Sequence, residues 1–95
     1  MKELYIQTQL LKKLRQLPSS FWFKIHDTIT CGIPDILGVY KGRFVAIECK
    51  QKGLKPTILQ AQILCELERS GGIIFVVDSS EKAQEVIKAL QIKVK

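Results

Sequence analysis

The sequence is poor in several things a small protein can lean on. It has one histidine, His26, and three cysteines, Cys31, Cys49 and Cys65. No CxxC occurs and the cysteines are odd in number and far apart, which argues against a zinc knuckle and a disulfide framework. Unpaired thiols fit a reducing compartment, so the cytoplasm is the expected setting. No run of about 18 apolar residues occurs, so no membrane span is expected. The opening MKELYIQTQLLKKL carries Glu3 and no small-residue cleavage site, so no secretory signal is expected. There are no repeats, no low-complexity tract and no linker.

What remains is an ordinary globular composition of 95 residues, 46% apolar and 25% charged, expected to form one domain over 1–95. A chain of this size buries only about 60–65% of its unfolded surface, so the core is thin. Net charge is +6, with lysines and arginine dense at Lys12, Lys13 and Arg15 and again at Lys50, Lys52 and Lys55. A basic balance of this kind favours a polyanionic partner, nucleic acid foremost, against plain solubility as the ordinary alternative.

Residues 3–17 place Leu4, Leu10, Leu11, Leu14 and Leu17 at helical spacing, and Pro18-Ser19-Ser20 ends that helix. Residues 21–26, FWFKIH, read as a strand whose aromatics serve a core or an interface. Residues 27–34 read as a loop. Two apolar runs follow, Asp35–Tyr40 and Arg43–Cys49, joined by Lys41-Gly42. Thr57 caps a helix over 57–69, with Ile58, Leu59, Ile63, Leu64 and Leu67 on one side. Ser70-Gly71-Gly72 breaks it, and Ile73–Val77 reads as a strand buried on both faces. A last helix begins at Ser79-Ser80-Glu81, with Ala83, Val86, Ile87 and Leu90 inward. The order is α-β-β-β-α-β-α. It predicts an α/β fold: a small mixed sheet flanked by helices, with a right-handed parallel crossover through the second long helix.

The chemistry lies in PDILGVYKGRFVAIECK, residues 34–50. If Lys41-Gly42 is a two-residue turn, Tyr40 faces Arg43, and counting outward brings Asp35 opposite Glu48. Opposed Cβ atoms lie about 4.5–5.5 Å apart, so two carboxylates there repel unless one is protonated or a cation sits between them. A hard ion such as Mg²⁺, bound by oxygens at about 2.0–2.1 Å, fits that gap. Strand alternation puts Lys50 on the same face as Glu48. The plain alternative is a surface hairpin in which Glu48 pairs with Lys50 and Asp35 caps a turn.

The residues Gly32-Ile33-Pro34-Asp35, then Gly42-Arg43-Phe44-Val45-Ala46-Ile47-Glu48-Cys49-Lys50, then Gln60 ahead of an apolar helix and Gly71-Gly72, resemble the VRR-NUC domain. That domain is the virus-type replication-repair nuclease branch of the PD-(D/E)XK superfamily. The likeness covers nearly the whole chain, and stand-alone domains of this size are typical of phage and prophage genomes. It implies a restriction-endonuclease-like core and a Mg²⁺- or Mn²⁺-dependent DNA endonuclease. By the same likeness, Asp35, Glu48, the backbone carbonyl of Cys49 and the first-helix acid Glu3 would be metal ligands. Lys50 would stabilise charge, and Gln60 would face the site. Branched DNA such as a Holliday junction would be the substrate, and two coordinated cuts would ask for a symmetric homodimer.

Beside those residues, the Cys49 thiol points into the core and is expected to be inert. His26 and Asp27 precede the hairpin, and His26 fits a structural or DNA-contacting role. Lys24, Lys52 and Lys55 flank the site as candidate phosphate contacts, which position a strand without reading its sequence. Two other functions stay open: a basic module that holds nucleic acid and cuts nothing, and a nuclease subunit that needs a partner.

Overall fold

A computed structural model describes residues 3–26 and 32–94. Asp27, Cys31 and most of the expected 27–34 loop lie outside the described residues. The elements are α1 (Glu3–Leu14), β1 (Ser20–Lys24), β2 (Ile36–Tyr40), β3 (Arg43–Cys49), α2 (Ile58–Arg69), β4 (Ile73–Val77) and α3 (Ser80–Lys93). One sheet runs β1-β2-β3-β4. Its first three strands form an antiparallel meander, and β4 joins β3 in parallel after the α2 crossover. The expected order and mixed sheet are those found. No helix among the described residues is long and apolar enough to cross a membrane.

The β2–β3 turn sets the geometry of everything downstream. Lys41 and Gly42 both take positive φ, 50° and 81°, the mirror-image turn whose twist matches a two-residue hairpin. Glycine accepts that conformation freely and lysine does not. The Lys41 ammonium lies 5.2 Å from the Tyr40 ring centroid, and the Lys41 backbone N–H donates to the Ser19 carbonyl at 2.8 Å. The turn fixes Tyr40 against Arg43 and carries the register through to Ile36 against Ile47.

Alternation then sorts the side chains. Trp22, Ile36, Tyr40, Val45, Ile47, Cys49, Ile73 and Val77 share the sheet face that meets α1 and α3. Ile6, Leu10 and Leu14 form the α1 stripe, and Ala83, Val86 and Leu90 the α3 stripe. Gly38 lies on this face because nothing larger fits. A Cβ there would run into the Phe21 carbonyl and the Trp22 indole, with indole Cδ2 at 2.8 Å. The opposite face is only partly covered. Ala46 and Leu64 of α2 are buried there, outside the main core.

Several expectations shift at element ends. Helix α1 stops at Leu14, and the chain tightens into i→i+3 turns, Gln16 N–H to the Lys13 carbonyl at 3.1 Å and Leu17 N–H to the Leu14 carbonyl at 3.0 Å, before Pro18. Leu17 still turns inward, its carbonyl held by the Ser20 hydroxyl at 2.7 Å. Leu4, expected inside, is 62% exposed, and Ile6 takes that place at the core. On β1 Phe21 and Phe23 point outward, since strand alternation gives only Trp22 to the core. On the hairpin, Val39 and Phe44 are part-exposed, being on the half-covered face. Helix α2 buries Leu64 and half-buries Ile63 and Leu67, but Ile58 and Leu59 project into solvent. Strand β4 is not buried on both faces: it is an edge strand, and Val76 is 40% exposed.

Two glycines separate steric from conformational need. Gly38→Ala meets packed neighbours, so it should cost roughly 1–3 kcal/mol of unfolding free energy through overpacking. Gly42→Ala meets open space and should cost about 1–2 kcal/mol through backbone strain alone. Urea denaturation measures both. A silent Gly38→Ala would contradict the packing of β1 on β2.

Candidate metal centre

The site is built where β2 begins and β3 ends. Ile25 N–H donates to the Asp35 carbonyl at 2.8 Å, so the Asp35 backbone faces β1. Ile36 therefore faces β3, and the step before it, Asp35 opposite Glu48, falls at the closer, non-hydrogen-bonded spacing, with Cα atoms about 4.5 Å apart in regular sheet. One residue further, Pro34 has no N–H and ends the ladder. The Cys49 amide, which pairing would have directed to that strand, instead donates to Asp35 Oδ2 at 2.8 Å. A backbone amide left over by proline thus orients the first carboxylate.

Glu48 sits in a run of five buried β3 residues, Val45 to Cys49, and is only 1% exposed. Its Oε2 lies 3.3 Å from Lys50 Nζ. Lys50 in turn is fixed through its amide, which donates to the Val77 carbonyl at 2.8 Å. The expected trio of Asp35, Glu48 and Lys50 is therefore assembled at one spot. The pairing of Glu48 with Lys50 belongs equally to the plain hairpin alternative, but its depth does not: a solvated surface ribbon does not bury a carboxylate.

Electrostatics express that burial. Desolvation pushes Glu48 up to about 7 from an ordinary 4.5, the Asp35 charge adds to the rise, and Lys50 opposes it. Asp35 is also raised, chiefly by burial, with the Cys49 N–H and the Lys50 and Lys24 charges pulling it back. Two acids in contact, both raised, behave as a pair that shares a proton near neutrality, and the deeper Glu48 is the one that holds it. Glu3, at the first turn of α1, is raised by burial and then by the charge of Asp35. Its field reaches both acids, yet no three His, Cys, Asp or Glu side chains among the described residues converge into a ready-made cage.

The other expected residues are placed as follows. The Cys49 thiol is buried and pushed up to about 12 by desolvation, so it stays a thiol, as expected. The Cys49 carbonyl leaves the strand on the same side as its amide, toward Pro34, which has no N–H to offer it. Gln60 is a third-position capping residue: its Oε1 accepts the Thr57 N–H at 2.9 Å while its own N–H donates to Thr57 Oγ1 at 3.1 Å. That capping box ties the Gln60 oxygen to the start of α2. Lys24 is half-buried on β1 and acts on Asp35. Lys52 and Lys55 are exposed on the segment after β3. Gly53 N–H in that segment reaches Asp78 Oδ2 at 3.4 Å, and Asp78 pairs with Lys82 at 3.3 Å. His26 is exposed.

Gly32 entered the sequence reading only as part of a motif and Gln7 not at all, and the structure gives each a place. Gly32 is packed under α2, where an added Cβ would press on Ile63 and sit 3.0 Å from Leu59 Cγ. The close approach lets the chain enter Asp35 from beneath the helix. Gln7, one turn along α1 from Glu3, is buried at 7% exposure. Its four-residue spacing from Glu3 was the available signal.

The raised acids fix a pH dependence. Because the native state keeps the Glu48 proton up to about 7 while an ordinary glutamate gives it up near 4.5, folding binds protons between those values. Stability is then fully present below the lower value and is lost as pH rises through the upper one. In EDTA, melting temperature should fall between about pH 5 and about pH 8, a loss of roughly 3 kcal/mol, and Glu48→Gln should flatten the profile. A profile equally steep in Glu48→Gln would contradict the assignment.

No family model and no curated protein matches the chain. Solved structures do share its fold, among them two VRR_NUC domain proteins. One, "VRR_NUC domain", superposes with a TM-score of 0.79 at 23% identity, covering 90% of this chain and 94% of the other. A second, "VRR_NUC domain protein", has a TM-score of 0.73 at 16% identity over 93% of this chain and 86% of its own. The structural neighbours are thus VRR_NUC domain proteins, and the fold implied by the sequence resemblance is the fold found.

Proposed function

We propose that the 95 residues act as one nuclease domain of the VRR-NUC kind. It would hydrolyse DNA phosphodiester bonds at the Asp35–Glu48–Lys50 cluster with a divalent metal ion, Mg²⁺ or Mn²⁺, in the cytoplasm. The observation that carries this reading is the placement of two carboxylates across a hairpin, one of them fully buried, with a lysine on the second.

The residues suit a hard cation. Buried acids that cannot both ionise cost stability unless a positive charge joins them, and both Asp35 and Glu48 are held in that state. Asp35 Oδ2 is taken by the Cys49 N–H and Glu48 Oε2 by Lys50. The other oxygen of each would be a ligand, joined by the Cys49 carbonyl and, across a wider gap, by Glu3. When bound there, the ion supplies a water of lowered pKa and neutralises charge gathering on the phosphate.

The chain's own residues supply the rest. Lys50, 14% exposed at its side chain, presents an ammonium between Glu48 and solvent. It would hold a phosphate oxygen and offset negative charge as the bond to the leaving oxygen breaks. Lys24, Lys52 and Lys55 flank the site and would hold the DNA backbone on either side. Gln60 remains a candidate through its amide nitrogen, since its oxygen serves the cap. For substrate, we favour branched DNA such as a four-way junction. Cutting it symmetrically needs two copies, and Phe21, Phe23 and Val39, exposed near the free β1 edge, offer apolar surface for pairing.

Incubation of labelled four-way, flap and linear DNA with the protein and Mn²⁺ or Mg²⁺ tests the reading. Product should appear with metal, vanish in EDTA and fall roughly 100-fold or more in Asp35→Ala or Lys50→Ala. Binding without product under every metal condition would instead support the non-cleaving module, and product only after adding a second protein would support the dependent subunit.

A further inference from the structure

Between α1 and the edge strand β1 lies a cavity of about 310 Å³, at the small end of ligand-site volumes. Its walls include Leu11 and Ile36, and its rim carries Lys12, Arg15 and Lys24. Gln7 also lines it. That side chain is 7% exposed, and among the described residues its Oε1 accepts no hydrogen bond. An unmet acceptor in a buried position weakens a fold, so core packing does not explain Gln7. Gln7 stands one helical turn from Glu3, about 6 Å along α1. Lys24 on the rim acts on Asp35, and Asp35 in turn acts on Glu3. The cavity therefore adjoins the carboxylate pair.

An apolar slot, a carboxamide in its wall and three rim cations complement a nucleotide: a flat ring with hydrogen-bonding groups on its edge, tethered to phosphate. We propose that this cavity takes one unpaired nucleotide of the DNA strand, next to the phosphate presented to Asp35 and Glu48. Its base lies between Leu11 and Ile36, the Gln7 carboxamide turns about its last torsion so that Oε1, enclosed in the free protein, accepts an edge N–H, and Lys12, Arg15 and Lys24 hold the flanking phosphates. This rests on the nuclease reading of the neighbouring site and gives that site a substrate class, DNA whose strand is unstacked beside the cut. Bulges, flaps and junction centres have such nucleotides, whereas an unbroken duplex must expend unstacking energy to provide one.

Fluorescence anisotropy in EDTA, with the whole chain and a duplex bearing one unpaired adenine, tests it against the same duplex with an abasic residue there. The base should tighten binding roughly tenfold, the size of one stacked and hydrogen-bonded base. Gln7→Leu should melt at or above the wild-type temperature and bind both duplexes alike. Gln7→Met replaces it if that variant does not fold. Lys12→Ala and Arg15→Ala should weaken both duplexes by similar factors and lower the salt dependence. No preference for the base in wild type, or a preference that survives loss of Gln7, would overturn the proposal, as would free deoxyadenosine monophosphate competing as strongly as the DNA. Cleavage of the same duplexes in Mn²⁺ separates the two claims. Cutting without base preference strikes the cavity alone, and base preference without cutting strikes the nuclease reading.

Discussion

The two-residue turn at Lys41-Gly42 sets the register that brings the two acids together. Side chains alternate along a strand, so a slip of one residue would send Asp35 and Glu48 to opposite faces of the sheet. The observed register runs unbroken from Tyr40–Arg43 to Ile36–Ile47 and delivers the acids to one face at the open end of the hairpin. The positive φ values at Lys41 and Gly42 are the local condition for that alignment. Pro34 then stops the ladder at the position where its continuation would compete for the Cys49 amide, and Asp35 receives that amide instead.

A buried acid pair is an odd use of a thin core. Glu48 occupies a place on the central strand where an apolar residue would stabilise the fold more, and its burial raises its pKa rather than tightening a salt bridge. Lys50 recovers part of the loss at 3.3 Å, but Asp35 and Glu3 act against it. Strain and unmet charge held in place by a surrounding scaffold are characteristic of sites that bind something. The surrounding scaffold is rigid where it matters: β3 is paired on both sides, and its C-terminal half is buried. The periphery is looser, with Ile58, Phe21 and Val76 facing solvent.

Much of this was legible in the amino acids because it is local. Gly42 flanked by alternating apolar residues specifies a hairpin, and the hairpin's register follows by counting. Thr57 declared a helix start by its side-chain oxygen. The rest depended on what lies opposite, which periodicity does not encode. Ile58 and Leu59 obey helical spacing, but α2 overhangs the sheet at its first turn, so both are exposed. Ile73–Val77 looks like a strand covered on both faces, yet its place at the sheet edge is set by strand order. Gln60 carries two signals in one residue: Thr57-Ile58-Leu59-Gln60 is also a capping box, and the structure uses the glutamine oxygen that way. Gln7 reads as a polar gap in an apolar stripe, and only the packing of α1 on β1 shows it buried.

Under the proposed function the opposed carboxylates of Asp35 and Glu48 form a seat for a divalent ion. Crystals soaked in Mn²⁺ and measured at the manganese absorption edge address it directly, since anomalous scattering locates the ion without reference to activity. A peak should lie within about 2.0–2.3 Å of a carboxylate oxygen from each residue and be lost in Asp35→Ala. A saturating soak that leaves no peak between them, or puts the ion elsewhere, would contradict it.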